Sequence, residues 1–479
     1  MSKSQLFISV FWIILLVFCA LPAVAQNRDS IAFAPAVNYG TGTGPRHVVC
    51  ADLDDDDDLD LAVVNFDDKD IYIFSNNGNG AYQIQSDYPV GYWPTFAFCA
   101  DLDNDDDLDL VVVNAGSDDI SVLMNNGNGT YQAPVDYEVG YWPTSVFCAD
   151  LDNDNDLDLA VTNWLDDNVS VFKNNGTGTF QTPVNYAVRS GPRSVFCADL
   201  DDDDDLDMAV ANWGHDNVSI LKNNGDATFQ TAVNYGAGDG PYSVFCADLD
   251  DDDDPDLAVA NCYSDNISIL RNNGDGTFQM AVNYGAGGGP WSVFCADLDD
   301  DHHPDLAVAN SVSNNVSVLK NNGDGTFQTA VNYGTGDGPR SVFCADLDND
   351  GNLDLVVANA YSHNISILFN RSEASNYVEE GDNDARLGSF SLFQNYPNPF
   401  NPQCNIDYAL PIACRVRLSV YNVLGQKIRV LVDEQQSAGY KTVTWDGRDG
   451  QGQELATSVY FYRIEAGNFV ESRKMVLIK

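Results

Sequence analysis

Short apolar stretches and polar breaks alternate along most of this chain, and the pattern recurs without slipping. Residues 193–241 show one cycle. Residues 194–198 (Ser-Val-Phe-Cys-Ala) are apolar and β-prone, and an acidic loop follows them. Residues 206–211 read as a second strand, ended by a polar run over 212–217, and residues 218–221 alternate as a third. Residues 223–226 form a turn, and residues 229–235 read as a fourth strand before Gly and Pro. Helical periodicity is missing throughout. The tripeptide Cys-Ala-Asp returns at Cys50, Cys99, Cys148, Cys197, Cys246, Cys295 and Cys344, a step of 49 residues each time. A unit this short cannot bury its own apolar face, so the copies must pack on one another. Four short strands per unit predict a propeller blade.

The ends of the repeat region predict a ring. Tyr39, Tyr88, Tyr137, Tyr186, Tyr235, Tyr284 and Tyr333 mark the fourth strand at the same step, and Tyr39 precedes the first acidic loop. The seventh unit stops after its third strand, near residues 365–369. Residues 33–39 are therefore expected to supply its missing outer strand, which leaves no open sheet edge. The expected fold is all-β: a seven-bladed β-propeller over about residues 31–370, followed by a small Ig-like β-sandwich. Its expected divisions are 1–25, 26–371, a linker at 372–389, and 390–479.

Charge adds chemistry to this architecture. The 479 residues hold 23 Lys and Arg against 72 Asp and Glu, a net charge of −49. Such a chain should repel nucleic acid and anionic membranes. The seven loops carry 41 of the acidic residues, a local excess that points to cations. Counted from the first Asp of each loop, positions 1, 3, 5 and 9 are always Asp. They are Asp52, Asp54, Asp56 and Asp60; Asp101, Asp103, Asp105 and Asp109; Asp150, Asp152, Asp154 and Asp158; Asp199, Asp201, Asp203 and Asp207; Asp248, Asp250, Asp252 and Asp256; Asp297, Asp299, Asp301 and Asp305; and Asp346, Asp348, Asp350 and Asp354. Alternate carboxylates in a tight loop converge, and hard oxygen ligands at this spacing suit up to seven structural Ca2+ ions. Position 12 is apolar (Val63 in the first loop), unlike an EF-hand. Position 6 is Gly only at Gly351; Asp57, Asp106, Asn155, Asp204, Asp253 and His302 stand there otherwise. Solvated acidic turns are the competing reading. They leave unexplained why up to five consecutive Asp are crowded between apolar strands, where like charges raise pKa values.

The Asp-Leu-Asp-x-Asp-x-x-Leu/Pro-Asp loops resemble FG-GAP repeats of the VCBS type, which also build the head of integrin α-chains. The Leu-Ala-Val-Ala-Asn strand at 257–261 and Asn-Gly-Asp-Gly-Thr-Phe at 273–278 share the resemblance. It implies calcium hairpins on one propeller face and ligand recognition on the other. That second face takes the second-to-third and fourth-to-first connections, where the units differ most. It offers Tyr92, Trp93, Tyr141, Trp142, Trp164, Trp213, Tyr242, Tyr263, Trp291 and Tyr361, with Arg46, Arg189, Arg193 and Arg340. Exposed Trp, Tyr and Arg suit protein hot spots or stacking on sugar rings; packing between blades is the alternative. Some propellers of this kind are polysaccharide lyases, which need a base such as His, Tyr or Lys. The five histidines (47, 215, 302, 303 and 363) occupy no recognisable catalytic motif. The expectation is a non-enzymatic adhesion-type module for an extracellular glycan or protein, with a polysaccharide-active enzyme or a structural surface-layer component as alternatives.

The two ends bear on destination. Lys3, an apolar stretch over 6–20 and Ala23-Val24-Ala25 read as a signal peptide cleaved before Gln26. Phe18 is too bulky for lipoprotein processing at Cys19. No later stretch is apolar for long enough to span a membrane. The seven repeat cysteines read as small buried apolar residues; Cys404 and Cys414 are near enough in sequence to pair or to stay free. Residues 393–402 (Phe-Gln-Asn-Tyr-Pro-Asn-Pro-Phe-Asn-Pro) and alternating strands such as 416–421 and 459–463 predict the sandwich. They resemble the type A C-terminal sorting domain of type IX secretion substrates. That implies delivery to the cell surface or medium through the type IX machinery. Thr457-Ser458 stands where such domains usually carry Ser-Gly.

Overall fold

The computed structural model describes residues 31–372 except 79, and, further on, residues 391–392, 395, 400, 403–410, 412–423, 426–437, 439–453, 455–467 and 469–478. The signal-peptide reading of 1–25, nearly all of the linker at 372–389 and most of the motif at 393–402 lie outside these residues. The chain divides into two compact units, 1–375 and 376–479.

The described part of the first unit is all strand and turn, organised as seven four-stranded antiparallel sheets. In the fourth repeat the strands are Pro192–Ala198, Asp207–Asn212, Asn217–Leu221 and Val233–Gly236. The second strand is buried along its whole length because neighbouring sheets cover both of its faces. The fourth is exposed except at Tyr235, as an outermost strand should be. That strand is shorter than the sequence suggests. Phe229 makes only an isolated bridge to Asn223, and regular pairing starts at Val233. The inner strand bulges between Pro192 and Ser194, since proline has no N–H to donate to the ladder.

The first described strand, Val37–Gly40, pairs with Asn364–Leu368, with Val37 opposite Ile367. Phe33 bridges Asn370, and the Arg371 N–H donates to the Ala32 carbonyl at 2.6 Å. One apolar cluster joins Val48, Leu61 and Val63 of the first sheet to Leu347, Val356 and Ile365 of the last. An Asn from each repeat also donates to the loop carbonyl of the preceding one: Asn125 to Leu53 (3.0 Å), Asn174 to Leu102 (2.8 Å), and so on to Asn76, which reaches Leu347 (3.1 Å). These clamps run round a closed cycle, so the seven sheets fit a propeller. Its centre is lined by a collar of Phe98, Phe147, Phe196, Phe245, Phe294 and Phe343, with successive ring centroids 4.7–5.1 Å apart. They border a cavity of about 140 Å3.

The second unit holds a three-stranded sheet (Ser391–Leu392, Cys404–Leu410, Gly439–Trp445) and a four-stranded one (Lys427–Gln436, Cys414–Asn422, Ser458–Ala466, Phe469–Leu477). Both enclose one core around Phe400, Tyr408, Trp445 and Tyr462. Among the described residues no helix is long and apolar enough to cross a membrane. Cys404 and Cys414 are both free thiols, as are the seven buried repeat cysteines and Cys262.

Candidate functional site

Each acidic loop joins the first strand of a sheet to the second, and its own carboxylates shape it. In the first loop Asp52 accepts the N–H groups of Asp56 (3.2 Å) and Asp57 (3.0 Å), and Asp56 accepts that of Asp58 (3.0 Å). Asp60 accepts from Asn76 (2.8 Å) and Leu53 (3.4 Å), tying the loop to the turn beside it. Positions 4 and 6 adopt positive φ in all seven loops, at 61° and 67° for Asp55 and Asp57. Asp and Asn bear this conformation better than most residues. His302 also adopts it, at φ 71°, so the sixth loop closes like the others.

This folding brings acidic oxygens together. Ligand atoms of Asp52, Asp54 and Asp60 lie within 4.8 Å of one another, as do those of Asp101, Asp103 and Asp109, and of Asp150, Asp152 and Asp158. In the fourth and fifth loops the sets are Asp199, Asp201 and Asp203, and Asp248, Asp250 and Asp252. At position 3 one oxygen is buried and has no hydrogen-bond partner in every loop: Oδ1 of Asp54, Asp103, Asp152, Asp201, Asp250, Asp299 and Asp348. A buried, unpartnered carboxylate oxygen is costly, and seven equivalent ones match the donor set of an oxygen-loving cation. Burial, with neighbouring carboxylates adding to it, pushes Asp60, Asp109, Asp158, Asp207 and Asp256 up to about 7 and Asp305 to about 8. The Asp54 carboxyl is raised for the same reasons.

Basic side chains also reach some of these loops, which the sequence reading did not pick out. Lys173 pairs with Asp152 (3.0 Å), Lys222 with Asp201 (2.7 Å) and Arg271 with Asp250 (3.1 Å). Lys320 bridges Asp299 and Asp301, and Arg371 reaches Asp348 (3.2 Å) and Asp350 (2.9 Å). In the first two repeats the position of Lys173 is taken by Ser75 and Met124.

Residues 52–112, 101–161, 199–259, 248–308 and 297–357 match the model of the FG-GAP-like repeat, together more than half of the chain. The protein belongs to the FG-GAP-like repeat family. Residues 403–468 match the FlgD Ig-like domain. No curated protein matches the chain. Among solved structures, the fold of this FG-GAP-like protein is similar to that of BBS1N in complex with ARL6DN, soaked with lead. That similarity has a TM-score of 0.53 and 14% identity, and covers 72% of this chain and 99% of that one. The mercury-soaked form gives 0.52 and 14%, covering 72% and 98%. An Agrocybe aegerita lectin specific for non-reducing terminal N-acetylglucosamine gives 0.47 and 19%, covering 69% and 96%.

At the opposite end of the inner strands the FG-GAP-like repeats carry their aromatic residues. Trp93 lies 5.5 Å from Trp142, Trp142 5.9 Å from Trp164, Trp164 6.2 Å from Trp213, and Trp213 5.6 Å from Tyr263. Phe66, absent from the sequence-based set, stacks on Trp93 at 6.0 Å and 7°. Tyr242 packs on Trp291 at 4.1 Å, and Tyr92, Trp93, Tyr141, Tyr263 and Tyr361 are exposed. Trp93 and Trp142 adopt φ of 54° and 57°, whereas Gly44, Gly191, Gly240, Gly289 and Gly338 fill the equivalent position elsewhere. A bulky residue at positive φ is strained, and such strain concentrates at binding sites. Arg46 sits 4.2 Å over Phe66, Arg193 4.3 Å over Trp164, and Arg340 3.3 Å over Trp291.

Proposed function

We propose that this chain is a secreted or cell-surface, calcium-stabilised seven-bladed propeller that recognises an extracellular glycan or protein without catalysis. The observation that carries the reading is the aromatic belt from Phe66 to Tyr263, with two of its tryptophans held in a backbone conformation that five other repeats reserve for glycine. Trp93 is exposed although it stacks on Phe66, and Trp142 is only half-buried, so neither strained ring is a core residue. The exposed rings of Trp93 and Tyr263 and the half-buried ones of Trp142, Trp164 and Trp213 offer a sugar, or a partner's side chain, apolar contact at small entropic cost.

Calcium fits the seven loops as structural ligand, since carboxylates of positions 1, 3, 5 and 9 with backbone oxygens supply the hard donors it takes. Non-catalytic action is supported by the state of His47: burial pushes it down to about 3, so it stays neutral and stacks on Phe96 at 3.8 Å. His363 accepts the Gly44 N–H at 3.0 Å and holds a loop. The first 25 residues support export, and the C-terminal Ig-like unit is the part read as a type IX sorting domain.

A glycan array probed with the full mature chain, in calcium and again in EDTA, tests the reading. Calcium-dependent binding to a defined sugar class, lost in Trp142→Ala, is the expected result. Folded, calcium-loaded protein that binds neither sugars nor any protein from neighbouring cell surfaces would sink it.

A further inference from the structure

Arg46, Arg193 and Arg340 occupy one equivalent position in three repeats, the residue after the proline that opens the inner strand. The acidic loops leave the far end of these strands, so the three cations stand on the opposite face. They also meet near the axis. Trp291 of the sixth repeat lies 3.3 Å from Arg340 of the seventh and 5.9 Å from Arg46 of the first. Side chains from sheets that are not neighbours share a ring only at the centre of the ring of sheets. Tyr242, which packs on Trp291, lies 5.1 Å from Arg193.

These guanidiniums have lost water; Arg46 feels the Asp67 carboxylate, whereas the charged neighbour acting on Arg340 is a second guanidinium, Arg46. Arg340 is 9% exposed, and its Nε and Nη1 are buried with no hydrogen-bond partner; Nη2 donates to the Tyr361 hydroxyl at 2.8 Å. Arg193 Nε is likewise buried and unpartnered. Burial lowers the pKa of Arg46 and brings that of Arg340 down to about 10, with Arg46 itself contributing to the second shift. In a chain with 72 acidic residues, basic groups elsewhere find them readily: Lys173, Lys222, Arg271, Lys320 and Arg371 all pair with loop aspartates. Arg193 and Arg340 keep unused N–H donors, and buried donors of this kind demand an acceptor. A planar fork of N–H groups matches a carboxylate in two-point geometry.

We propose that Arg46, Arg193 and Arg340 form a carboxylate-binding site at the mouth of the ring, and that the ligand is a uronate-containing glycan whose neighbouring sugars lie on the tryptophan belt. This rests on the reading of the face as a recognition surface and names the ligand's chemistry. Trp164 connects the two parts, since Arg193 lies over it and it continues the row from Trp93 and Trp142. Successive rings of the row are inclined by 48° to 71°, so sugars in series would meet ring edges as well as faces, and the arginines select those that carry an anion.

The test is calorimetric titration of the full mature, calcium-loaded chain with short oligogalacturonides. Neutral galacto-oligosaccharides of equal length and poly-glutamate serve as comparison ligands. Expected is uronate binding at least about tenfold tighter than to the neutral sugar, and a comparable loss in Arg340→Gln and Arg193→Gln. Equal binding of neutral and acidic sugars, unchanged in both variants, would overturn the carboxylate site and leave the recognition reading standing. Binding of neither sugar would overturn the uronate site, and the recognition reading would then stand or fall by the glycan array and the search for a protein partner. Tighter binding of poly-glutamate than of uronate would overturn the glycan assignment. If a variant fails to fold, the wild-type contrast between acidic and neutral sugars still decides.

Discussion

Calcium should set the melting temperature of the repeat unit, with a slope that counts its sites. Each ion bound to the folded state alone adds RT ln(1 + [Ca]/Kd), which above Kd is about 1.4 kcal/mol for every tenfold rise in calcium. Unfolding entropy near 2.1 cal/mol/K per residue gives roughly 0.7 kcal/mol/K for about 340 residues. One occupied loop therefore moves the midpoint by about 2 °C per decade, and seven acting on one cooperative ring by about 14 °C. The structure favours the larger figure, because the unpartnered Oδ1 at position 3 recurs in all seven loops and the Asn clamps tie each loop to a neighbouring repeat. The assay is scanning calorimetry of the mature chain from 0.1 to 10 mM calcium, with EDTA as baseline and magnesium as comparison, roughly the affinity range of extracellular calcium modules. A midpoint that moves by less than about 2 °C over that range would refute structural calcium binding by these loops.

Without metal the pH dependence should run opposite to that of an ordinary acidic surface. Asp60 and its equivalents have folded values near 7, above the unfolded carboxylate value of about 3.9. Their contribution is complete below that lower value and is lost as pH rises through 7 to 8. Melts in EDTA should therefore be highest near pH 4 and fall until about pH 7 to 8; a flat or rising profile would contradict the burial of position 9. Lys320 neutralises Asp299 and Asp301 from within the protein, so Lys320→Met should lower stability in EDTA and steepen its dependence on calcium, read from the same melts. In Trp93→Gly, relief of about 1–3 kcal/mol of backbone strain offsets aromatic contacts of about 0.5–1.5 kcal/mol each. Its midpoint should stay within a few degrees of wild type while ligand binding on the array disappears.

Much of this was legible in the sequence because a period with no insertions exposes every equivalent position at once. The carboxylate positions and the closing N-terminal strand followed from register alone. Position 4 of the loops, Asp or Asn in each repeat, carries the same residue types that bear positive φ as position 6 does in five of the seven. The outer strand was overextended because Phe229 looks like a strand residue, whereas its ring packs edge-on against Tyr186 at 5.2 Å and its backbone leaves the ladder. Side chains joining different repeats were harder to see. The Asn clamps, the basic residues on the loops and the Phe collar each depend on which sheet lies next to which. Phe66 was missed for that reason, since its partner Trp93 belongs to the following repeat.

The pairing of Val37 with Ile367 has a kinetic consequence. The strand that completes the last sheet is the first to be made, and it waits for the whole repeat region before finding its partner. Closing a loop of about 330 residues costs about 5 kcal/mol in chain entropy by logarithmic scaling, repaid only after the intervening sheets have drawn the ends together. Ring closure is thus the final event of assembly and a test of completeness. A chain interrupted before Asn364 keeps most of its sheets but exposes an unpaired edge, which marks it for aggregation or proteolysis.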